Sequence, residues 1–244
     1  MKQRLLQFNR PRVRRVLMVV LLLPCAAFAG GKASLVMDHV PVPAAGQPMG
    51  REANAATVTW DDDDAVRMDM KGQDSYLLMR DGNVYSVSQS RGGAQVMELS
   101  VIMKMMQSMG RTGTKAGNKN PFGSVDSVSA TGATETVAGI EGRVYHMTWT
   151  DGDGSRQSGD AVLTDDALVV AMTRAYIGML AGMAGEDTTR AFQNALPGKD
   201  RGLLRIGDQF RVGSIRRAEP SASTFTLPAK PMDMKSLMGG MGRR

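Results

Sequence analysis

Apolar and polar residues alternate with a period of two through much of the chain, the mark of half-buried strands. Ala65-Val66-Arg67-Met68-Asp69-Met70 shows the pattern most plainly. Around it stand Thr57-Val58-Thr59-Trp60, Ser75 to Arg80, Val84-Tyr85-Ser86-Val87 and Gln95-Val96-Met97. Turns separate these runs at Asp61 to Asp64, Lys71-Gly72-Gln73-Asp74 and Arg91-Gly92-Gly93, with a tight hairpin signal at Asp81-Gly82-Asn83. Such spacing predicts a β-meander of the kind found in sandwiches and barrels. Ahead of it, Ala33 to Val40 predicts a first strand inside the Gly-, Ala- and Pro-rich stretch 30–55. A second β block follows residue 125. It comprises Asp126 to Ala130, Thr134 to Val137, a turn at Ala138 to Gly142, and Arg143 to Thr150. In that last run Val144, His146 and Thr148 share one side, and Tyr145, Met147 and Trp149 the other. After a turn at Asp151-Gly152-Asp153-Gly154, Gly159 to Leu163 returns. Leu203 to Ile206 and Gln209 to Arg217 predict a hairpin around Gly207-Asp208, and Ser223 to Leu227 a last short strand.

The period changes twice. Leu99, Ile102, Met106 and Met109 fall on one face of a short helix, and 110–124 reads as a basic loop. Thr164-Asp165-Asp166 predicts a helix start, with Thr164 as N-cap and acids in the first turn. Leu168, Met172, Ala175, Met179 and Met183 then mark an amphipathic helix of about five turns. A further short helix is expected over 188–196, and the Met- and Gly-rich tail 231–244 reads as disordered.

Composition changes the picture at the N-terminus. The 244 residues carry 30 Lys+Arg against 24 Asp+Glu, a net charge of +6 that invites a nucleic-acid or anionic-membrane partner. Lys2, Arg4, Arg10, Arg12, Arg14 and Arg15 stand in 1–29 with no acid. They precede an apolar run, Val16 to Leu23, and the small residues ending Ala27-Phe28-Ala29. Basic region, short apolar region and A-x-A site make a secretory signal peptide. The run is shorter than the ~20 residues of a spanning helix. Cys25 after Leu22-Leu23-Pro24 resembles a lipoprotein cleavage box, from which Pro24 departs; Arg14-Arg15 resembles a twin-arginine signal. Cleavage after Ala29 leaves 24 basic and 24 acidic residues and no cysteine. The expected mature protein is therefore periplasmic, neutral and free of disulfides, with no nucleic-acid partner. Its charge is polarised: 30–187 is net acidic and 188–244 net basic, which reads either as C-terminal strands packed against an acidic body or as a basic edge facing anionic lipid or an acidic envelope partner.

Candidate chemistry is sparse. Asp61 to Asp64 offers oxygen ligands for Ca²⁺, but reads as a solvated turn. Asp151-Gly152-Asp153-Gly154-Ser155 starts like an EF-hand loop, yet Arg156 and Val162 stand where Gly and Glu belong. His39 and His146 have no nucleophile motif beside them, and no Gly-rich phosphate loop follows a strand. No cofactor, metal or enzyme activity is expected. Twenty Met are the unusual feature. Flexible thioethers suit a surface that repacks around apolar ligands, or ordinary core filling. Met103-x-Met105 and Met232-x-Met234 also leave open a Cu(I) reading.

Four pieces carry a resemblance by their order. They are Ala65 to Met70, the hairpin Tyr76-Leu77-Leu78-Met79-Arg80-Asp81-Gly82-Asn83-Val84-Tyr85, the run Thr136-Val137-Ala138-Gly139 through Tyr145, and Thr224-Phe225-Thr226-Leu227-Pro228-Ala229. Together, over roughly 33–230, they resemble uncharacterised envelope proteins with a lipoprotein-carrier-like (LolA/LolB-like) fold. That resemblance implies an α+β fold: a curved antiparallel β half-barrel, an open barrel covered by helices, forming one domain over 30–230. It also implies an apolar cavity for a hydrophobic or lipid-like ligand. Ile102, Met103, Met106, Leu168, Met172, Tyr176 and Met179 are the expected cavity or lid residues.

Overall fold

A computed structural model describes residues 30–37, 54–90, 92–101, 124–150, 154–184, 186–198 and 202–232. The signal segment with Cys25 and Ala29, His39, most of the expected helix 99–109, the basic loop after it and residues 233–244 lie outside the described residues.

Eleven strands form one open antiparallel sheet, so the chain is α+β. The first six are β1 (Gly31–Met37), β2 (Asn54–Trp60), β3 (Val66–Met70), β4 (Ser75–Arg80), β5 (Asn83–Ser90) and β6 (Gly93–Glu98). The rest are β7 (Ser124–Val137), β8 (Ile140–Thr150), β9 (Arg156–Thr164), β10 (Gly202–Ile206) and β11 (Phe210–Arg217). Two helices, α1 (Ala167–Ala184) and α2 (Glu186–Ala195), stand between β9 and β10. The order β6-β5-β4-β3-β2-β1-β11-β10-β9-β8-β7 is two meanders joined where β1 pairs with β11. The period-2 pattern fixes which side is buried. Ala33, Leu35 and Met37 of β1 pair with Val58, Ala56 and, on β11, Phe210 and Val212, all facing one core. Met68 and Met70 of β3, Leu77 and Met79 of β4 and Val84 of β5 continue that face.

Three local expectations are corrected. The stretch 124–137 is one strand, not two. Its pairing with β8 shifts between Ala130 and Thr134, and the Thr131 hydroxyl donates to the Val144 carbonyl at 2.9 Å across that bulge. The helix cap is Asp166, whose carboxylate accepts from the Leu168 and Val169 amides at 3.0 and 3.1 Å. Thr164 instead donates to the Glu141 carbonyl at 3.0 Å and ties the end of β9 to β8. Finally, Ser223 to Leu227 forms no strand. Ala222–Phe225 is a 3-10 turn between Pro220 and Pro228, closed by the Thr224 amide on the Ser221 carbonyl at 2.8 Å. It buries Phe225 against β3 and β4, on the sheet face away from the main core. Leu78, Val87 and Val96 are buried on that same outer face. The Met232 amide then donates to the Val96 carbonyl at 2.9 Å, so the C-terminal segment reaches β6.

Helix α1 lies across the inner face and touches β10, β11, β1, β2, β3 and β5. Its approach to β10 depends on Gly202: a Cβ there would stand 2.7 Å from Val169 Cγ1 and 2.8 Å from the Val170 backbone nitrogen. The same crossing is pinned by the Thr173 hydroxyl, which accepts from the Leu203 amide at 2.8 Å. The helix is not amphipathic as the spacing implied. Ile177 and Leu180 are buried as well as Met172 and Met179, and no residue from 168 to 183 is exposed. A helix apolar all round is a buried helix. No helix among the described residues is long and apolar enough to cross a membrane.

Candidate functional site

The sheet and α1 meet in a seam built largely of methionine. Met37, Met68, Met70 and Met79 point into it from β1, β3 and β4, and Met172 and Met179 from α1. All six are buried, and the half-buried Met183 extends the row toward the end of the helix. Val58, Val66, Val84, Phe210 and Val212 fill the sheet side between them. Unbranched thioether side chains carry three rotatable bonds and polarisable sulfur, so such a seam changes shape at small energetic cost.

A hydroxyl enters the seam from α1. Tyr176 sits one turn after Met172 on α1, and its ring lies against Phe210 with centroids 5.6 Å apart. Its hydroxyl donates to the Met37 sulfur at 3.5 Å. A thioether is a weak acceptor. Burial of the hydroxyl end pushes the phenol up to about 12, because the phenolate has nothing to solvate it there. Tyr176 thus stays a neutral donor at any physiological pH, held by a weak partner inside apolar surroundings.

Four of the expected cavity residues come together here. Met172 and Met179 are fully buried, while Leu168 and Tyr176 are partly buried against the same core. Ile102, Met103 and Met106 lie outside the described residues. The sheet half of the seam was missed. Met68 and Met70 were visible as the apolar phase of an alternating strand, but nothing in the spacing says which strands a helix will cross.

The other candidate features have local explanations. The Asp62 carboxylate accepts from the Asp64 and Ala65 amides at 2.9 and 2.7 Å, which closes the acidic turn. His146 contacts Asp160 at 3.0 Å on the exposed side of the sheet. Among the described residues no group of three His, Cys, Asp or Glu could hold a metal ion. A pocket of about 220 Å³ opens beside the start of α1, lined by Glu141, Arg143, Thr164, Asp165 and Asp166 among others. It is polar, and the Asp166 carboxylate is already engaged as the helix cap. No family model, no curated protein and no solved structure matches the chain.

Proposed function

We propose that this is a non-enzymatic periplasmic protein that binds a hydrophobic, lipid-like ligand between α1 and the sheet. The eleven strands act in this reading as a half-barrel with α1 over its open face. The observation that carries it is the buried methionine seam with the Tyr176 hydroxyl inside it. Thioethers can move aside for an acyl chain, and the hydroxyl can exchange a weak sulfur partner for a carbonyl or carboxylate oxygen. Titration of the purified protein with a dansylated lipid tests it. Saturable binding at micromolar concentration is expected, and its absence would reject the reading.

A second reading is a structural module whose interior is filled by its own side chains. It is favoured by the full burial of Met172 and Met179, which leaves no surface of either open in this conformation. The two readings separate on whether the seam opens to accept lipid.

A further inference from the structure

We infer that the outer face of β1, β11 and β10 is a docking surface for an anionic membrane, with Lys32, Arg211 and Arg216 arranged around Val36. The inference is independent of the ligand proposal, since a protein with a self-filled interior could dock in the same way. Arg211 and Arg216 are five positions apart on β11, and an odd separation in a regular strand puts side chains on opposite faces. The pairing of β11 with β1 shifts between Ser34 and Leu35, however, which leaves Gly213 as an extra residue. Arg216 then pairs with Lys32 and Arg211 with Val36, and all four point outward. Gly213 permits this bulge, because a Cβ there would lie 2.9 Å from the Ser34 hydroxyl oxygen. A second shift, between Leu203 and Arg205 on β10, buries Leu204 and sets Arg205 beside Arg211.

The result is a cationic patch on the outer face. Lys32, Arg211 and Arg216 are exposed and have no ion-pair partner among the described residues. Arg205 is neutralised by Glu135 at 2.7 Å. Between Lys32 and Val36 stand only hydroxyls, with Ser34 and Ser214 oxygens 2.8 Å apart. On β3, beyond β2, Asp69 is bound by Arg67 at 2.6 Å. The exposed acids Asp208 and Glu219 lie outside the strand, in the turn before β11 and just after it. From Lys32 to Val36 the face runs about 14 Å, at roughly 3.4 Å per residue. Val36 is 37% exposed, the one large apolar side chain exposed among the described residues. A patch of cations with an apolar side chain among them matches phospholipid headgroups over an acyl boundary. A nucleic-acid backbone would supply the anions but no partner for Val36.

The test uses the full chain and a reporter on the face itself, because the basic segment 1–29 would attract anionic vesicles on its own. The rate of amine labelling at Lys32 is read by mass spectrometry with phosphatidylcholine vesicles, with phosphatidylglycerol-containing vesicles, and with duplex DNA at matched phosphate. Slower labelling with phosphatidylglycerol alone is expected, lost at high salt as screening shortens the field's reach. R211Q/R216Q should weaken that protection on the order of thirtyfold, while R211K/R216K, which keeps both charges, should retain it. Equal labelling of Lys32 with and without anionic vesicles would overturn the proposal. So would full protection in R211Q/R216Q, or stronger protection by DNA than by vesicles.

Discussion

Met172→Ala is the sharpest probe of the seam. Met172 has no exposed surface and faces the sheet from the second turn of α1. Truncation removes three heavy atoms and leaves a cavity, a change that costs about 2–5 kcal/mol in packed cores. Neighbouring thioethers can rotate into part of the space, so a value near ~3 kcal/mol is expected. In a domain of this size that lowers the melting temperature by about 6–12 °C. Met172→Leu keeps the volume and should cost under ~1.5 kcal/mol. Thermal unfolding followed by far-ultraviolet circular dichroism gives both numbers. A lipid that enters the seam should restore up to ~2.7 kcal/mol to the Ala variant at a hundred times its Kd. A Met172→Ala protein within ~0.5 kcal/mol of the parent would refute the packing of α1 on the sheet.

Other consequences follow from single contacts. Gly202→Ala should destabilise by about 1–3 kcal/mol in urea unfolding, because its methyl meets the backbone of α1; a neutral result would contradict the close crossing. Asp166→Ala should cost ~1 kcal/mol and Asp166→Ser much less, since either oxygen can cap the helix; equal losses would reject the cap. Tyr176 should titrate at about 12 by absorbance at high pH, identified by its loss in Tyr176→Phe. Because its folded pKa lies above the unfolded value near ~10, the native state holds the proton longer, and stability falls as pH rises from ~10 to 12. Titration of Tyr176 at the ordinary phenol value would place its hydroxyl outside the seam.

The alternation of apolar and polar side chains made the strands legible. Val66, Met68 and Met70 are buried as their phase predicts, and the Asp81-Gly82 and Ala138-Gly139 turns take the positive φ that two-residue hairpins require. What periodicity could not supply was anything set by distant residues. The β1–β11 pairing joins segments as far apart in sequence as Gly31 and Arg217, and no local pattern encodes it. The bulge at Gly213 breaks the alternation that strand reading depends on, so the shared face of Arg211 and Arg216 was invisible. Helix α1 was placed within two residues but its environment was misjudged: Ile177 and Leu180 interrupt the expected polar face, and that apolar girdle was the sign of a buried helix. Phe225 looked like a strand residue, although the flanking Pro220 and Pro228 cannot donate to a ladder.

Native mass spectrometry of the protein purified from its own host shows whether the seam carries a lipid. An adduct with the mass of a lipid or fatty acid is expected, displaced by the dansylated lipid and weakened by filling the seam with Ala175→Phe. A bare chain that takes up no lipid on titration, or a copper-sized adduct in its place, would contradict it.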